Sequence, residues 1–189
     1  MKRIAILASG AGSNAANILE HFNSKSVAEV VLIASNKQDA GVLQIAAKNG
    51  VTTYILTSEN FKQSDEFIQK LKSLQVDLIV LAGFLWKVPE NMVKHFPQRI
   101  INIHPSLLPK FGGKGMYGHF VHEAVHAAHE VESGITVHWV NEHYDEGAII
   151  TQYRTEILSG DSVAVIESKV RALEMEWFPS IIEKVLMSC

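Results

Sequence analysis

Short apolar runs rich in β-branched residues alternate with longer amphipathic segments through the first half of the chain. This alternation is typical of βαβ units, which build a mostly parallel sheet covered by helices on both faces. The pattern predicts strands near residues 3–8, 29–35, 52–56, 77–82 and 99–103. It predicts helices near residues 14–22, 41–49, 64–74 and 89–95, with Pro89 in a first turn and Gly50 as a stop signal.

The second half departs from this rhythm. A helix is predicted near residues 119–130, followed by strands near 135–140 and 148–156. The Asp145-Glu146-Gly147 turn between those strands indicates a hairpin-like, antiparallel connection. A last helix should begin at the capping signal 159–162 and run towards Met187. We therefore expect an α/β protein with a Rossmann-like, doubly wound mixed sheet, mostly parallel with an antiparallel part in the C-terminal half.

Length and composition limit the classes of function. A chain of 189 residues with 47% hydrophobic content can bury the core of one compact domain. Its net charge of -3 and the lack of a basic cluster interleaved with aromatic residues argue against nucleic-acid binding. No apolar stretch approaches the roughly 18 residues of a membrane span, and the lone cysteine, Cys189, excludes an intrachain disulfide and a thiolate metal cluster. We expect a cytoplasmic monomer or homodimer that acts on small molecules, with no membrane association and no metal.

A glycine-rich loop, Ser9-Gly-Ala-Gly-Ser-Asn14, joins the first predicted strand to the first predicted helix. Backbone N–H groups and the helix dipole at such a turn favour an anion, and phosphate is the natural ligand. A dinucleotide site would need an acidic residue after the second strand, where the chain has Ser35-Asn36-Lys37 instead. The local sequence is equally compatible with a tight turn capped by Ser13 or Asn14 and no ligand.

Three polar residues have the properties of an acyl-transfer site. Asn102 and His104 alternate with Ile103 at the end of the fifth predicted strand, so their side chains should point to the same side. An amide and an imidazole there could stabilise an oxyanion, and Asp145 could hydrogen-bond the imidazole or relay protons. The alternative is structural: Asn102 caps a turn, His104 begins a loop fixed by Pro105, and the aspartate serves only its own turn.

The segment from His122 to His126 matches the H-E-x-x-H signature of zinc proteases. We expect an ordinary half-buried helix instead, because Glu132 and His129 stand where the extended signature needs histidine and glycine. The predicted polar flank carries His122, His126 and His129. The predicted apolar arc comprises Phe120, Val121, Ala124, Val125, Ala128 and Val131.

Two further observations concern covalent chemistry and the last helix. Ser106 stands between Pro105 and Leu107, outside any G-x-S-x-G context, so direct transfer between two bound substrates is favoured over a covalent intermediate.

Arg171 and Glu174 share one face of the last predicted helix and could form a surface ion pair. If that face looks at the glycine loop, Arg171 could contact phosphate, and Glu174 could contact a sugar hydroxyl or an amine.

Taken together, the motifs closely resemble those of the phosphoribosylglycinamide formyltransferases of purine biosynthesis. The resemblance spans nearly the whole chain in the right order: the glycine loop, Ser35-Asn36-Lys37, Ala82-Gly83-Phe84, the block from Asn102 to Lys110, and Asp145. The N-I-H-P-S-L-L-P part of that block is shared with folate-dependent formyltransferases and hydrolases in general. The glycine loop narrows the acceptor to a phosphoribosyl amine.

This resemblance implies the formyltransferase fold in a single domain, 1–189, with a phosphoribosyl-binding half of about 1–100 and a folate-binding, catalytic half of about 101–189. The implied reaction transfers the formyl group of the cosubstrate 10-formyltetrahydrofolate to the amine of glycinamide ribonucleotide, and it needs no metal. Hydrolysis of 10-formyltetrahydrofolate is the alternative, although such hydrolases usually carry a further N-terminal domain. A non-catalytic folate- or nucleotide-binding module is a third possibility, in which the three polar residues need not converge.

The resemblance also assigns roles to residues. Asn102 and His104 would polarise the formyl oxygen, while Asp145 would orient His104 and help to move the proton of the attacking amine. The residues implied in holding phosphate and ribose are Gly12, Ser13, Asn14, Arg171 and Glu174. Those implied in folate binding are Leu85, Val88, Asn141, Glu142, His143 and Tyr144.

A cis peptide is implied at Leu108-Pro109. The chain departs from the family pattern at two places. Trp86 and Lys87 stand where the family often has arginine and isoleucine, and the loop 111–118 differs from the shorter family form.

Overall fold

Seven strands form one mixed sheet in the order β3-β2-β1-β4-β5-β6-β7. The computed structural model describes residues 1–188, and Cys189 lies outside them. The strands are β1 (Lys2–Leu7), β2 (Ala28–Ser35), β3 (Thr52–Ile55), β4 (Leu78–Leu81), β5 (Ile100–His104), β6 (Glu132–Trp139) and β7 (Ile149–Glu156). Strands β1 to β5 pair in parallel, whereas β6 and β7 are antiparallel. The predicted fold class is confirmed.

Helices cover both faces of the sheet. They are α1 (Ser13–Asn23), α2 (Gly41–Lys48), α3 (Glu66–Ser73), α4 (Glu90–His95), α5 (His119–Ala127) and α6 (Val163–Met187). Because side chains alternate along a strand, Ile4 and Ile6 join a core with α1, α2, α5 and α6, while Ala5 and Leu7 join a second core with α3 and α4. None of these helices is long and apolar enough to cross a lipid bilayer.

The predicted ends of several elements were wrong by a few residues. Helix α5 ends at Ala127 because His129 adopts a left-handed conformation with φ 52°, and β6 then begins at Glu132. Pro89 is the N-cap of α4 and precedes its first turn. A π-helical turn at Glu59–Gln63 precedes α3 and was not predicted.

The predicted buried face of α5 was partly wrong: Val121 and Val125 are buried as expected, but other positions are not. His122 is 4% exposed, whereas Phe120 is 53% and Val131 is 74% exposed. The reason is tertiary: α5 packs its Val121, His122 and Val125 face inward, while Phe120 contacts Tyr117 at the surface in an edge-to-face pair. Val131 lies beyond the end of the helix.

Two of the close approaches that require glycine shape the turns beside the cavity described below. Gly12 has φ 85°, and a Cβ atom there would lie 2.7 Å from the Cα of Val42, so the β1–α1 turn can pack against α2 only without a side chain. A Cβ atom at Gly147 would lie 1.7 Å from the carbonyl oxygen of Trp139. This approach sets the turn between β6 and β7 that carries Asp145.

Candidate active site

A cavity of about 670 Å³ lies at the carboxyl ends of β1, β4 and β5. Open α/β sheets bind ligands at this edge, where the order of strands reverses, and here the reversal falls between β1 and β4. We call this space the main cavity. The glycine loop, the end of β5, the 113–118 segment and one face of α6 form its walls, and its volume suits a nucleotide-sized ligand.

His104 and Asp145 meet at the inner end of the main cavity. Nδ1 of His104 lies 3.6 Å from Oδ2 of Asp145, and its Nε2–H donates to the carbonyl of Phe111 at 2.8 Å. The same carboxylate oxygen accepts a hydrogen bond from the backbone N–H of Gly113 at 2.8 Å. The predicted imidazole and carboxylate are therefore adjacent, and the segment that follows Pro109 holds both of them. The Leu108-Pro109 peptide is cis, as the resemblance implied.

A second buried histidine, His138, completes the cluster and was missed in the sequence. It lies on β6 directly opposite Asn102 on β5. Nδ2 of Asn102 donates to Nε2 of His138 at 3.1 Å, while Nδ1–H of His138 donates to the carbonyl of Trp139 at 2.9 Å. Nε2 of His138 also lies 3.6 Å from Oδ1 of Asp145. The hydrogen bond to Trp139 fixes the His138 ring, and the ring in turn orients the side-chain amide of Asn102. The second N–H of that amide makes no hydrogen bond to residues 1–188.

Burial and neighbouring charge set the ionisation of this cluster. Burial lowers the pKa of His104, although the Asp145 carboxylate and the Phe111 carbonyl act in the opposite direction. Burial would raise the pKa of Asp145, but the His138 ring, the positive charge that His104 carries when it is protonated and the Gly113 N–H together outweigh it, so that pKa is lowered. At neutral pH the pair is thus a neutral imidazole beside a carboxylate.

The other end of the main cavity is bordered by Ser13, Asn14, Arg171 and Glu174. The N-cap of α1 is Gly12, and no side chain caps the helix, which contradicts the alternative of a turn capped by Ser13 or Asn14. The first N–H groups of the helix are therefore available to an anion. Gly12 itself does not border the cavity, because it faces Val42 behind the loop.

Glu174 connects α6 to the glycine loop. Its Oε2 accepts a hydrogen bond from Nδ2 of Asn14 at 2.9 Å. Burial raises the pKa of Glu174, while the Asn14 hydrogen bond and the attraction of Arg171 act in the opposite direction. Oδ1 of Asn14 is enclosed and has no hydrogen-bond partner among residues 1–188. This end of the cavity therefore presents donors, a cation and an acceptor.

A narrower cleft of about 60 Å³ adjoins the main cavity, and we call it the side cleft. Of the residues implied in folate binding, Val88, Asn141, His143 and Tyr144 border the side cleft, Leu85 borders the main cavity, and Glu142 borders neither. Lys62 lies over the ring of Trp86, and Lys87 lies 5.7 Å from the ring centre of Tyr144. The residues that border both spaces are Phe84, Asn102, Tyr144 and Asp145.

The H-E-x-x-H segment does not form a metal site in the part of the chain that the structure describes. Residues 1–188 contain no group of three or more His, Cys, Asp or Glu side chains placed to hold a metal ion. His126 is exposed on α5, whereas His122 turns inward and borders the main cavity. The two histidines therefore do not share one face towards a common ligand.

Comparison with known proteins agrees with this architecture. Residues 2–182 match the model of the formyl transferase family. The chain belongs to that family. The chain is 37% identical over 187 residues to the chloroplastic phosphoribosylglycinamide formyltransferase of Arabidopsis thaliana, a match that covers 96% of the chain and 64% of the relative. It is 37% identical over 188 residues to the phosphoribosylglycinamide formyltransferase of Haemophilus influenzae, covering 97% and 86% of the two chains.

Solved structures give the same result. Glycinamide ribonucleotide transformylase 1 of Symbiobacterium toebii superposes with a TM-score of 0.89 and 32% identity, covering 100% of this chain and 89% of that chain. The resemblance to the phosphoribosylglycinamide formyltransferases is thus confirmed. The chain spans less than two thirds of the length of the Arabidopsis thaliana relative.

Proposed function

We propose that this protein transfers the formyl group of 10-formyltetrahydrofolate to the amine of glycinamide ribonucleotide in de novo purine biosynthesis. The products are formylglycinamide ribonucleotide and tetrahydrofolate. The observation that carries the proposal is that the main cavity and the side cleft meet at Asn102 and Asp145. A group that passes between two bound substrates must cross such a junction. The names of the relatives from Arabidopsis thaliana and Haemophilus influenzae support the same reaction.

The main cavity suits the acceptor. The free N–H groups at the start of α1, with Ser13 and Asn14, would hold the phosphate, and Arg171 would supply a positive charge. Glu174 would bind a ribose hydroxyl beside Asn14. The amine of the nucleotide would then face His104 and Asp145 at the inner end.

At about 60 Å³ the side cleft can take only the part of the folate that carries the formyl group. Val88 and Tyr144 provide apolar and aromatic walls, and the backbone from Asn141 onward borders the same space. The formyl group would enter the junction at Asn102, whose free amide N–H can donate to the formyl oxygen as negative charge develops. Glu142 borders neither space, which leaves it outside the proposed folate site.

His104 and Asp145 would carry out the proton transfer. Because Nε2–H of His104 is held by the Phe111 carbonyl, the free lone pair is on Nδ1, which faces Asp145. As the amine nitrogen bonds to the formyl carbon, Nδ1 would accept the amine proton, and the carboxylate would stabilise the imidazolium. The proton then passes to the folate nitrogen as its bond to the formyl carbon breaks. This assigns oxyanion stabilisation chiefly to Asn102 and base chemistry to His104.

We propose that residues 1–189 form the single domain expected from the sequence, with each half contributing to both substrate sites. Arg171 and Glu174 from the second half border the phosphate end, and Leu85 and Val88 from the first half border the formyl-donor end. A cytoplasmic location and a monomeric or dimeric state stay predictions. The name of the Arabidopsis thaliana relative includes the word chloroplastic.

A formyl-transfer assay tests the proposed reaction. The purified protein is mixed with 10-formyltetrahydrofolate in the presence and in the absence of glycinamide ribonucleotide. We expect tetrahydrofolate to form only when the ribonucleotide is present and in equal amount to the formylated product. Release of formate at the same rate without the ribonucleotide would identify a hydrolase instead.

Replacing Ser13 with aspartate should raise KM for glycinamide ribonucleotide by about tenfold or more. The new carboxylate would stand at the start of α1 and repel the phosphate, at a cost of about 1–2 kcal/mol. KM for 10-formyltetrahydrofolate should not change. Ser26→Asp is the matched control, because it adds the same charge at an exposed position beyond the other end of α1. An unchanged KM for the ribonucleotide in Ser13→Asp would count against a phosphate site at this loop.

A further inference from the structure

His122 is a buried polar residue that the proposed reaction does not use. It borders the main cavity from α5 and is 4% exposed. Its Nδ1 atom is enclosed and has no hydrogen-bond partner among residues 1–188. Nε2 also has no hydrogen-bond partner among residues 1–188 but is not enclosed, so it is the ring nitrogen that a ligand in the main cavity can reach. Buried polar side chains are nearly always paired, and a ring with neither nitrogen paired in a cavity wall therefore calls for an explanation.

His122 lies within electrostatic reach of both α6 and the inner end of the main cavity. Charged groups close enough to affect its ring are Glu167 on α6, His119 on its own helix and His104 at the inner end. Glu167, Arg171 and Glu174 follow one another on a single stripe of α6 that faces the main cavity. His122 therefore lies near both the stripe that leads to the phosphate end and the imidazole of the inner end.

The ionisation of His122 restricts the groups that it can recognise. Burial lowers the pKa of His122, while Glu167 acts in the opposite direction and His119 and His104 add to the lowering. The ring is therefore neutral at neutral pH, with one donor nitrogen and one acceptor nitrogen. A neutral ring suits an amide or a hydroxyl group, whereas phosphate is better served by Arg171 and the start of α1.

We propose that His122 is a substrate-binding residue that hydrogen-bonds the amide linking glycine to the ribose of the acceptor nucleotide. The inference rests on the proposed function. In that function the phosphate lies near Ser13, the ribose near Glu174 and the amine near His104. The amide is the polar group between ribose and amine, and it is the part of the acceptor left to reach His122.

His122→Phe tests the assignment, because phenylalanine keeps the ring and removes both nitrogens. We expect KM for glycinamide ribonucleotide to rise by roughly tenfold, because one buried hydrogen bond is lost. KM for 10-formyltetrahydrofolate should not change. His122→Gln, which retains a donor and an acceptor, should recover part of the loss. His126→Phe, one turn along α5 and exposed, is the matched control and should keep both wild-type KM values.

Ribose 5-phosphate distinguishes the amide from the sugar, because it carries the phosphate and ribose without the glycinamide. Its dissociation constant should be equal in the wild type and in His122→Phe. The thermal midpoint of His122→Phe should be equal to or above that of the wild type, because an unpaired buried nitrogen is removed.

Three results would overturn the inference: a wild-type KM for the ribonucleotide in both variants, an equal loss of ribose 5-phosphate affinity, or an equal rise in both KM values. A wild-type protein without formyl transfer to the ribonucleotide would instead refute the proposed function itself.

Discussion

Replacing Asp145 with asparagine should lower kcat for formyl transfer by about 10²- to 10⁴-fold, the usual effect of losing an acid–base partner. Asparagine has the same shape, and its carbonyl oxygen can still accept the hydrogen bond from the Gly113 N–H. What is lost is the negative charge beside Nδ1 of His104. KM for glycinamide ribonucleotide should change little, because the phosphate is held at the opposite end of the main cavity.

Steady-state kinetics with each substrate varied in turn measure this effect. Asp39→Asn is a suitable control, because it removes an exposed carboxylate outside both cavities. A kcat within a few-fold of the wild type in Asp145→Asn would remove the carboxylate from the proton path. A large rise in KM for the ribonucleotide with normal kcat would make Asp145 a binding residue instead.

Replacing His104 with alanine should lower kcat by a similar factor and should also change its pH dependence. In the wild type the lowered pKa of His104 keeps the base neutral at neutral pH. Protonation then removes the acceptor lone pair only when the pH falls below the ordinary histidine value of about 6.5. The acid limb of kcat should therefore lie below that pH in the wild type and be missing in the residual activity of His104→Ala.

The pH profiles of wild type, His104→Ala and Asp145→Asn provide the measurement. In Asp145→Asn the acid limb should move to still lower pH, because the carboxylate that raises the pKa of His104 is gone. His104→Gln controls for structure, since its amide can donate to the Phe111 carbonyl but is not a base at these pH values. An acid limb that persists unchanged in His104→Ala would assign the titration to another group.

The fold was readable from the sequence because its central strands are buried on both sides and its helices have a distinct period. Residues 4–7 alternate between two cores, which is why the strand appears as a continuous apolar run. The face of α5 was not readable, because three histidines and several alanines give a weak pattern. Contacts with α6 and the main cavity decide there that His122 is buried and Phe120 is exposed.

The candidate site was partly readable for a similar reason. Asn102 and His104 lie on one strand, so the twofold period of a strand places them on the same side. His138 could not be found in this way, because its position opposite Asn102 depends on the antiparallel register of β5 and β6. No local pattern encodes a pairing between residues that are 36 positions apart. The prediction that Asp145 lies beside His104 came from the family resemblance and not from residue spacing.

The backbone segment after Pro109 connects the wall of the main cavity to the residues of the proton relay. It accepts a hydrogen bond from His104 at Phe111 and donates one to Asp145 at Gly113, and its next residues, 113–118, form a wall of the main cavity. Movement of this wall away from the cavity would break the hydrogen bonds to His104 and Asp145 together. The wall of the acceptor's space and the contacts that position the proton relay thus belong to one short backbone segment, so a substitution that displaces residues 111–113 is expected to impair acceptor binding and proton transfer together.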